Sequence, residues 1–404
     1  MSEEQPALLG AYGSWIRGLT SAEVPGYSFL DPRWSDAATW SGKAREIFAA
    51  AILAPKIPKI TVRTTGRKAF DGLVFEELAW DLPFGPTTRA WFLRPEKARG
   101  RLPGVLALHD HGANKYFGKS KIAGADENTH NYIENYRRLY YGGRAWANEL
   151  AKRGYGVLVH DIFPFESRRI IPSELPGFVV ERMMQRPEEL RELSPEDLAS
   201  DRPCRDYEVS GRETVPEIER YNAFAGQHEA IIAKVLFSAG TSWPGLVLAE
   251  DVAALDYLAS RPDIDPERVG CGGLSGGGLR TNYLAGSDSR IRCSVTAGFM
   301  TTWADFAMRT AYTHTWMIYI PGLPRHLDFP DILAMRAPLP ALVQCTRQDP
   351  LFDQDEVRRA EAVLSDTYRK AGAPGNFRMS WYDGAHKFDL SMQEEAFGWF
   401  DTWL

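Results

Sequence analysis

The sequence has no apolar run near the roughly twenty residues that an α-helix needs to cross a bilayer, which excludes a membrane-spanning protein. It also lacks a basic excess, since 47 Lys and Arg stand against 53 Asp and Glu, for a net charge of -6. Proteins that bind nucleic acids use such an excess to neutralise phosphates. DNA and RNA are therefore not expected partners.

Cysteine is scarce, with four residues in a chain of 404, which is too few for a disulfide scaffold. Cys271, Cys293 and Cys345 each lie in an apolar, strand-like stretch, so we expect buried, reduced thiols. The sequence starts Met-Ser-Glu-Glu-Gln-Pro, with acidic residues where a secretory signal has Lys or Arg before an apolar run. We therefore expect a cytoplasmic protein.

Apolar periodicity divides the chain into a helical N-terminal extension, residues 1–58, and one large domain, residues 59–404. In the domain, strand-length apolar runs alternate with helical segments, which indicates an α/β fold with a mostly parallel central sheet and helices on both faces. The predicted strands are 60–63, 73–79, 88–94, 102–108, 156–160, 268–274, 291–298, 340–345 and 377–382. The predicted helices are 143–153, 217–238, 246–260, one from Ser275, 354–371 and 389–403. Two aperiodic stretches, at about 162–245 and 300–337, are predicted to form a cap over the domain.

One G-x-S-x-G motif, at 273–277, follows a predicted strand and precedes a predicted helix. Glycines two residues before and after a serine allow a strained strand-to-helix turn that exposes the hydroxyl. A serine hydroxyl is a poor nucleophile at neutral pH and needs a histidine base oriented by a carboxylate. Ser275 is therefore the predicted nucleophile.

The base and the acid should follow the serine in the order Ser, acid, His, which leaves His314, His326 and His386 as candidate bases. His386 lies between the strand at 377–382 and the last helix, on the sheet edge where ligand groups gather in open α/β folds, and it is the predicted base. Asp349 directly follows the strand at 340–345 and is the predicted acid. Asp353 and Asp355 remain alternatives.

An oxyanion hole needs two backbone N–H groups, one from the residue after the nucleophile and one from a loop after an earlier strand. Gly276 should supply the first and Ala113, in His109-Asp110-His111-Gly112-Ala113-Asn114, the second, with Gly112 or Asn114 as alternatives. The same His-x-His stretch, with His130, Asp110 and Asp126 nearby, also suggests zinc, but the further Asp-His of known His-x-His hydrolase sites is absent. No metal and no organic cofactor is expected.

Aromatic side chains in the loops and cap could pack on sugar rings or aryl groups of a substrate, or bury the cap on the sheet. The predicted substrate contacts are Tyr116, Phe163, Trp243, Trp303 and Trp316. Arg168 and Arg169 could clamp a carboxylate, although two arginines beside Glu166 are more typical of a solvated ion-pair surface.

Several stretches together resemble bacterial α/β-hydrolases of the acetyl xylan esterase-like and dienelactone hydrolase-like group. They are residues 108–112, 115–119, 221–224, 243–251 and 273–277, and the resemblance covers roughly 60–404. It implies an α/β-hydrolase fold, ester hydrolysis without a cofactor, and the triad Ser275, Asp349 and His386. Dienelactone hydrolases use a cysteine where this chain has Ser275, and sugar deacetylases usually have Gln where it has Gly276.

The sequence thus predicts a serine carboxylester hydrolase acting on short-acyl esters of a sugar or another small alcohol. Cleavage of an amide, peptide or C–C bond by the same triad is the alternative within enzymes, and a non-catalytic binding protein on a hydrolase fold is the alternative outside them. A small-molecule ester is the expected partner, and association into a homo-oligomer stays open.

Overall fold

The computed structural model describes residues 8–20, 25–184 and 213–404. Within them, nine strands form one sheet in the order β1-β2-β3-β5-β4-β6-β7-β8-β9. The strands are β1 (Arg63–Phe70), β2 (Leu73–Trp80), β3 (Thr88–Pro95), β4 (Leu102–Leu108), β5 (Gly156–His160), β6 (Ile264–Leu274), β7 (Cys293–Ala297), β8 (Ala341–Thr346) and β9 (Phe377–Tyr382). The pairings from β5 across to β9 are parallel, and those joining β1, β2, β3 and β5 are antiparallel. The predicted mostly parallel sheet is confirmed.

Helices cover both faces of this sheet. They are α1 (Gly13–Thr20), α2 (Ala37–Ile52), α3 (Asn131–Tyr140), α4 (Trp146–Lys152), α5 (Gly177–Met184), α6 (Val215–Ser238), α7 (Trp243–Ser260), α8 (Gly276–Ser287), α9 (Trp303–Asp305), α10 (Phe329–Ala334), α11 (Gln354–Lys370) and α12 (Leu390–Trp403). Some elements depart from the predictions. Helix α3 lies in a stretch expected to be a polar loop, and β1 shares only residue 63 with the strand predicted at 60–63. Strand β6 begins at Ile264, four residues before the predicted start.

The parallel strands form the centre of the core. Every residue of β5, β7 and β8 is buried, which explains why these segments are apolar without alternation. Cys271, Cys293 and Cys345 are buried and free, as predicted, and burial raises the pKa of the Cys271 thiol to about 12. The fourth cysteine, Cys204, lies outside the described residues.

The N-terminal helix α2 packs on the domain. Asp36 caps it by accepting the Thr39 amide, and Trp40 and Phe48 are buried in the main core. The Ser41 hydroxyl donates to the Met335 carbonyl at 2.8 Å. The described part of the predicted extension is therefore joined to the domain by apolar packing and hydrogen bonds.

The stretch predicted as a cap contains α5 and α6, while residues 185–212 lie outside the described part. A capping box formed by Thr214 and Glu217 starts α6. The next helix, α7, begins at Trp243, before the end of the predicted insertion, and most of its residues are buried. Among the described residues no single helix is long and apolar enough to cross a membrane; α6 and α7 meet that test as a pair, bent by 83°.

Candidate active site

Ser275 lies at the turn between β6 and α8, with φ 55° and ψ -118°. A non-glycine residue in this region of φ and ψ is strained, and such strain is typical of functional positions. The Ser275 amide donates to the Ala297 carbonyl of the neighbouring strand at 2.8 Å, which holds the turn. The structure therefore has the strand-turn-helix context that the motif predicts.

The glycines around Ser275 are required by close backbone approach. A Cβ on Gly273 would lie 2.2 Å from the Leu108 carbonyl oxygen, and one on Gly277 would lie 2.1 Å from the same atom. A Cβ on Gly276 would lie 2.6 Å from the backbone nitrogen of His111. These contacts place the turn directly against the loop after β4, which is the predicted source of the second oxyanion donor.

His386 and Asp349 are joined by a hydrogen bond of 2.6 Å between Nδ1 and Oδ2. The other carboxylate oxygen of Asp349 accepts the Leu351 amide at 3.0 Å, so the acid is held from both sides. Nε2 of His386 is buried and has no partner among the described residues. Since Asp349 occupies Nδ1, Nε2 is the nitrogen left to exchange a proton with a substrate or nucleophile.

The alternative acids have other roles. Asp353 caps α11 by accepting the amides of Asp355 and Glu356, and its other oxygen pairs with Arg309. Asp355 lies in the first turn of that helix. Of the three candidates, Asp349 is the one bonded to His386.

A cavity of about 260 Å³ contains Ser275 and His386 in its wall. Its lining is completed by two groups of segments, one around the loop after β4 and α3, the other in the second predicted insertion. The lining residues are Asp110, His111, Gly112, Ala113, Tyr136, Tyr140, Leu274, Ser275, Gly276, Phe299, Thr313, His314, Thr315, Leu351 and His386. The predicted nucleophile, base and oxyanion donors thus face one cavity.

The two predicted oxyanion donors differ in their surroundings. Gly276 is the first residue of α8, where backbone amides have no partner within the helix and the helix dipole favours negative charge. The Ala113 amide, by contrast, donates to Nδ1 of His111 at 3.1 Å, and Ala113 has a φ of 50°. The Asn114 amide donates to the His111 carbonyl. Ala113 therefore faces the cavity with its amide already engaged.

His111 is fixed by a buried cluster that the sequence analysis missed. Its Nε2 lies 2.7 Å from Oε1 of Glu229 on α6, and the Lys115 ammonium bonds to the same oxygen. Oε2 of Glu229 accepts the Trp316 amide at 3.3 Å. Burial opposes the ionisation of Glu229, but His111 and Lys115 outweigh it and hold its pKa far below the usual range. Glu229 thus joins the loop after β4, helix α6 and the second predicted insertion.

A second cluster lies around Asp110, in the wall of the cavity. Its carboxylate accepts the hydroxyls of Tyr136 and Tyr141, and Nζ of Lys121 lies 3.5 Å from it. Lys121 also donates to the carbonyls of Asp110 and His111. Burial lowers the pKa of Lys121 to about 8, although the nearby Asp110 carboxylate acts to raise it. Both carboxylate oxygens of Asp110 therefore have hydrogen-bond donors.

The five predicted aromatic substrate contacts are absent from the cavity lining. Tyr116, Trp243 and Trp303 are buried, at 4%, 1% and 3% exposure. Phe163 packs edge-on against Trp243, with ring centroids 5.9 Å apart, and Trp316 is partly exposed beside the lining residue Thr315. Burial of apolar area accounts for the first four, so their placement supports the packing alternative.

The arginines and the His-x-His stretch also have structural partners. Arg168 is buried against Glu250 at 2.7 Å, so it is neither solvated nor directed at a substrate, and Arg169 stacks on Tyr116. His109 packs against Phe165, while His130 caps α3. Within the described residues, no three His, Cys, Asp or Glu side chains come together as a metal site.

A family model and a curated protein match this sequence. The model of the prolyl oligopeptidase family matches residues 240–329, which include the turn at Ser275. The Bacillus subtilis (strain 168) protein named "Putative hydrolase YtaP" is 25% identical over 347 residues, which are 85% of this chain and 93% of that protein.

Two solved structures show the same fold at low identity. A "putative acetyl xylan esterase" from Bacteroides fragilis NCTC 9343 aligns with a TM-score of 0.64 and 17% identity, covering 95% of this chain and 84% of the other. A glucuronoyl esterase from Solibacter usitatus aligns with a TM-score of 0.59 and 14% identity, covering 95% and 98%. This chain is a hydrolase of the α/β-hydrolase fold.

Proposed function

We propose that the protein is a serine carboxylester hydrolase that works through Ser275, His386 and Asp349 and an acyl-enzyme intermediate. One observation carries the proposal. Asp349 holds Nδ1 of His386 at 2.6 Å and leaves Nε2 unpaired among the described residues, in the wall of the cavity that also contains Ser275. A histidine oriented in this way is suited to take the proton of a serine hydroxyl.

In the proposed reaction, Oγ of Ser275 attacks the ester carbonyl while Nε2 of His386 takes its proton. Asp349 stabilises the imidazolium that forms. The Gly276 amide donates to the oxyanion, and the Ala113 amide joins it by turning from, or sharing its hydrogen with, His111. His386 then protonates the leaving alcohol and activates the water that releases the acid.

We expect a short acyl group and a small alcohol, because the cavity is small. Its volume of about 260 Å³ lies just below the roughly 300–1,000 Å³ of small-molecule sites. Two structural relatives bear the names of esterases that act on sugar esters, which supports an ester of a sugar or a comparable alcohol as substrate.

Amide or peptide cleavage is the second candidate, because the family model that matches residues 240–329 is that of the prolyl oligopeptidases. The same triad cleaves both kinds of bond. A panel of p-nitrophenyl acetate and butyrate, matched p-nitroanilides and a β-diketone separates these activities from each other and from C–C bond cleavage.

The nucleophile is tested first by intact-mass analysis after fluorophosphonate treatment, with peptide mapping. We expect one adduct, on Ser275, and loss of nearly all p-nitrophenyl ester turnover in Ser275→Ala. Absence of an adduct on a folded protein would reject the proposal and favour a non-catalytic binding protein.

The acid is tested with a matched pair of variants. Asp349→Asn should lower kcat by about 10³- to 10⁴-fold, because the amide favours the wrong histidine tautomer. Asp353→Asn removes a neighbouring carboxylate that caps α11, so its kcat should stay within a few-fold of wild type. Equal effects of the two substitutions would contradict the assignment of Asp349.

A further inference from the structure

His314 lines the same cavity as Ser275 and His386, although it comes from the second predicted insertion. Its Nε2 lies 2.9 Å from the carbonyl oxygen of Leu351, two residues after the acid Asp349. Because a carbonyl can only accept a hydrogen bond, Nε2 must carry the proton. Nδ1 is then a lone-pair acceptor, since the hydrogen bond that the ring makes to a described residue is the one through Nε2.

The ring is neutral at physiological pH. Burial lowers the pKa of His314 to about 4, and the bond to the Leu351 carbonyl only partly offsets this. The ring therefore presents an acceptor and not a cation to the cavity. A neutral imidazole nitrogen pairs with a hydroxyl or amide donor of a ligand.

Three phenylalanines hold the ring in place. The His314 ring packs edge-on against Phe299 and Phe306, with centroid distances of 6.1 and 5.0 Å, and lies 5.1 Å from the ring of Phe352. An acceptor fixed by packing and by a second hydrogen bond is preorganised, so little conformational entropy is lost when a ligand binds it.

The other polar side chains on this wall are engaged with the backbone. The Thr313 hydroxyl donates to the Thr310 carbonyl at 2.8 Å, and the Thr315 hydroxyl accepts the Met317 amide at 3.3 Å. Within the described residues, no lysine or arginine lines the cavity. Among the described lining residues, Nδ1 of His314 is the side-chain acceptor left free on this wall.

We propose that His314 is a specificity-determining residue whose Nδ1 accepts a hydrogen bond from a hydroxyl group of an uncharged ester bound at Ser275. The inference rests on the proposed ester hydrolysis and extends it to the substrate. An ester that carries the hydroxyl donor should be preferred over the same ester with the donor capped, because an unpaired acceptor in a closed site weakens binding of the transition state.

The test compares hydroxyalkyl acetates, with the hydroxyl two or three carbons from the ester oxygen, with their O-methyl ethers. Wild-type enzyme should favour at least one hydroxylated ester over its ether by about 3- to 10-fold in kcat/KM. In His314→Gln the side-chain amide reaches the position of Nε2 and keeps the bond to Leu351, while the Nδ1 acceptor is lost. The preference should then fall to near one, because the O-methyl ether of each pair has no hydroxyl to donate to Nδ1 and loses less than the hydroxylated ester.

His314→Asn is the matched control, because its amide oxygen reaches the position of Nδ1 and should retain most of the preference. A wild-type ratio at or below one for every pair would overturn the proposal whether or not the variants fold. The proposal would also be overturned by a His314→Gln enzyme that keeps the preference. The same holds if kcat/KM falls by the same factor for every ester, as a purely structural role predicts. Failure of the ester hydrolase itself is separable, since wild type would then give neither a Ser275 adduct nor turnover of p-nitrophenyl acetate.

Discussion

Glu229 offers the sharpest test of how α6 is fixed to the loop after β4, because its carboxylate is shared by Lys115 and His111 of that loop. The side chains of Glu229 and Lys115 are 10% and 2% exposed, and that of His111 is 17% exposed. Replacing Glu229 by Ala leaves the Lys115 ammonium without its counter-ion in a site that water hardly reaches. Breaking a buried ion pair from one side costs about 3–5 kcal/mol.

That loss is a large fraction of the roughly 5–15 kcal/mol that stabilises a typical domain. It should appear in urea unfolding followed by tryptophan fluorescence, as a marked fall of the midpoint for Glu229→Ala. Glu219→Ala is the matched control, since Glu219 lies on the same helix but is exposed, and it should change stability by less than about 0.5 kcal/mol. The double variant Glu229→Ala/Lys115→Met removes the stranded cation and should recover part of the loss.

The effect also has a defined pH dependence. The folded-state pKa of Glu229 lies below its unfolded value of about 4, so the stability linked to it is present above that pH and is lost as the pH falls further. The difference in the free energy of unfolding between wild type and Glu229→Ala should therefore become smaller below about pH 4. A loss under about 1 kcal/mol at pH 7, or a double variant less stable than Glu229→Ala, would refute the reasoning.

Two further predictions concern backbone approach and buried acids. Gly277→Ala places a Cβ 2.1 Å from the Leu108 carbonyl oxygen and should abolish ester turnover. Gly398→Ala is the control, because a Cβ there has no atom within 4 Å, and it should leave turnover unchanged. An active Gly277→Ala enzyme would show that the turn can shift. Burial raises the pKa of Asp328 to about 6 and that of Asp331 to about 7. The folded state thus keeps protons that the unfolded chain releases, so the free energy of unfolding should fall as the pH rises from about 4 to 7. In Asp331→Asn the urea midpoint should depend less steeply on pH over this range than in wild type.

The sequence analysis placed Ser275, His386 and Asp349 because chain order and strand ends limit where such a triad can lie. The structure brings the base and acid into contact and puts base and nucleophile in one cavity wall. The sequence could not reveal the roles of His314 or Glu229, because their surroundings depend on contacts between residues far apart in the chain. The bond between His111 and Glu229, for example, spans 118 residues, and no local pattern marks it.

The predictions that failed in the fold and the site each have a physical cause. Helix α3 was expected to be a loop because it is mostly polar and buries Ile133, Tyr136 and Arg137 alone. Strand β1 was missed beyond residue 63 because it lies at the sheet edge and none of its residues is fully buried, so it carries no apolar pattern. Trp243 and Trp303 were assigned to the substrate because an apolar ring looks the same in sequence whether it faces a ligand or the core.

The docking of α2 also bears on the order in which the chain can fold during synthesis. Its hydrogen bonds from Ser41 and Arg45 reach Met335 and Gly286, which follow it by 294 and 241 residues. At about 5–20 residues per second, α2 would wait roughly 15–60 s for its complete binding surface. Trp40 already has Phe29 beside it, but Phe48 lacks its ring partner Tyr283 for most of that time. Protease sensitivity of this helix in stalled nascent chains should therefore persist until the segment around Met335 has emerged.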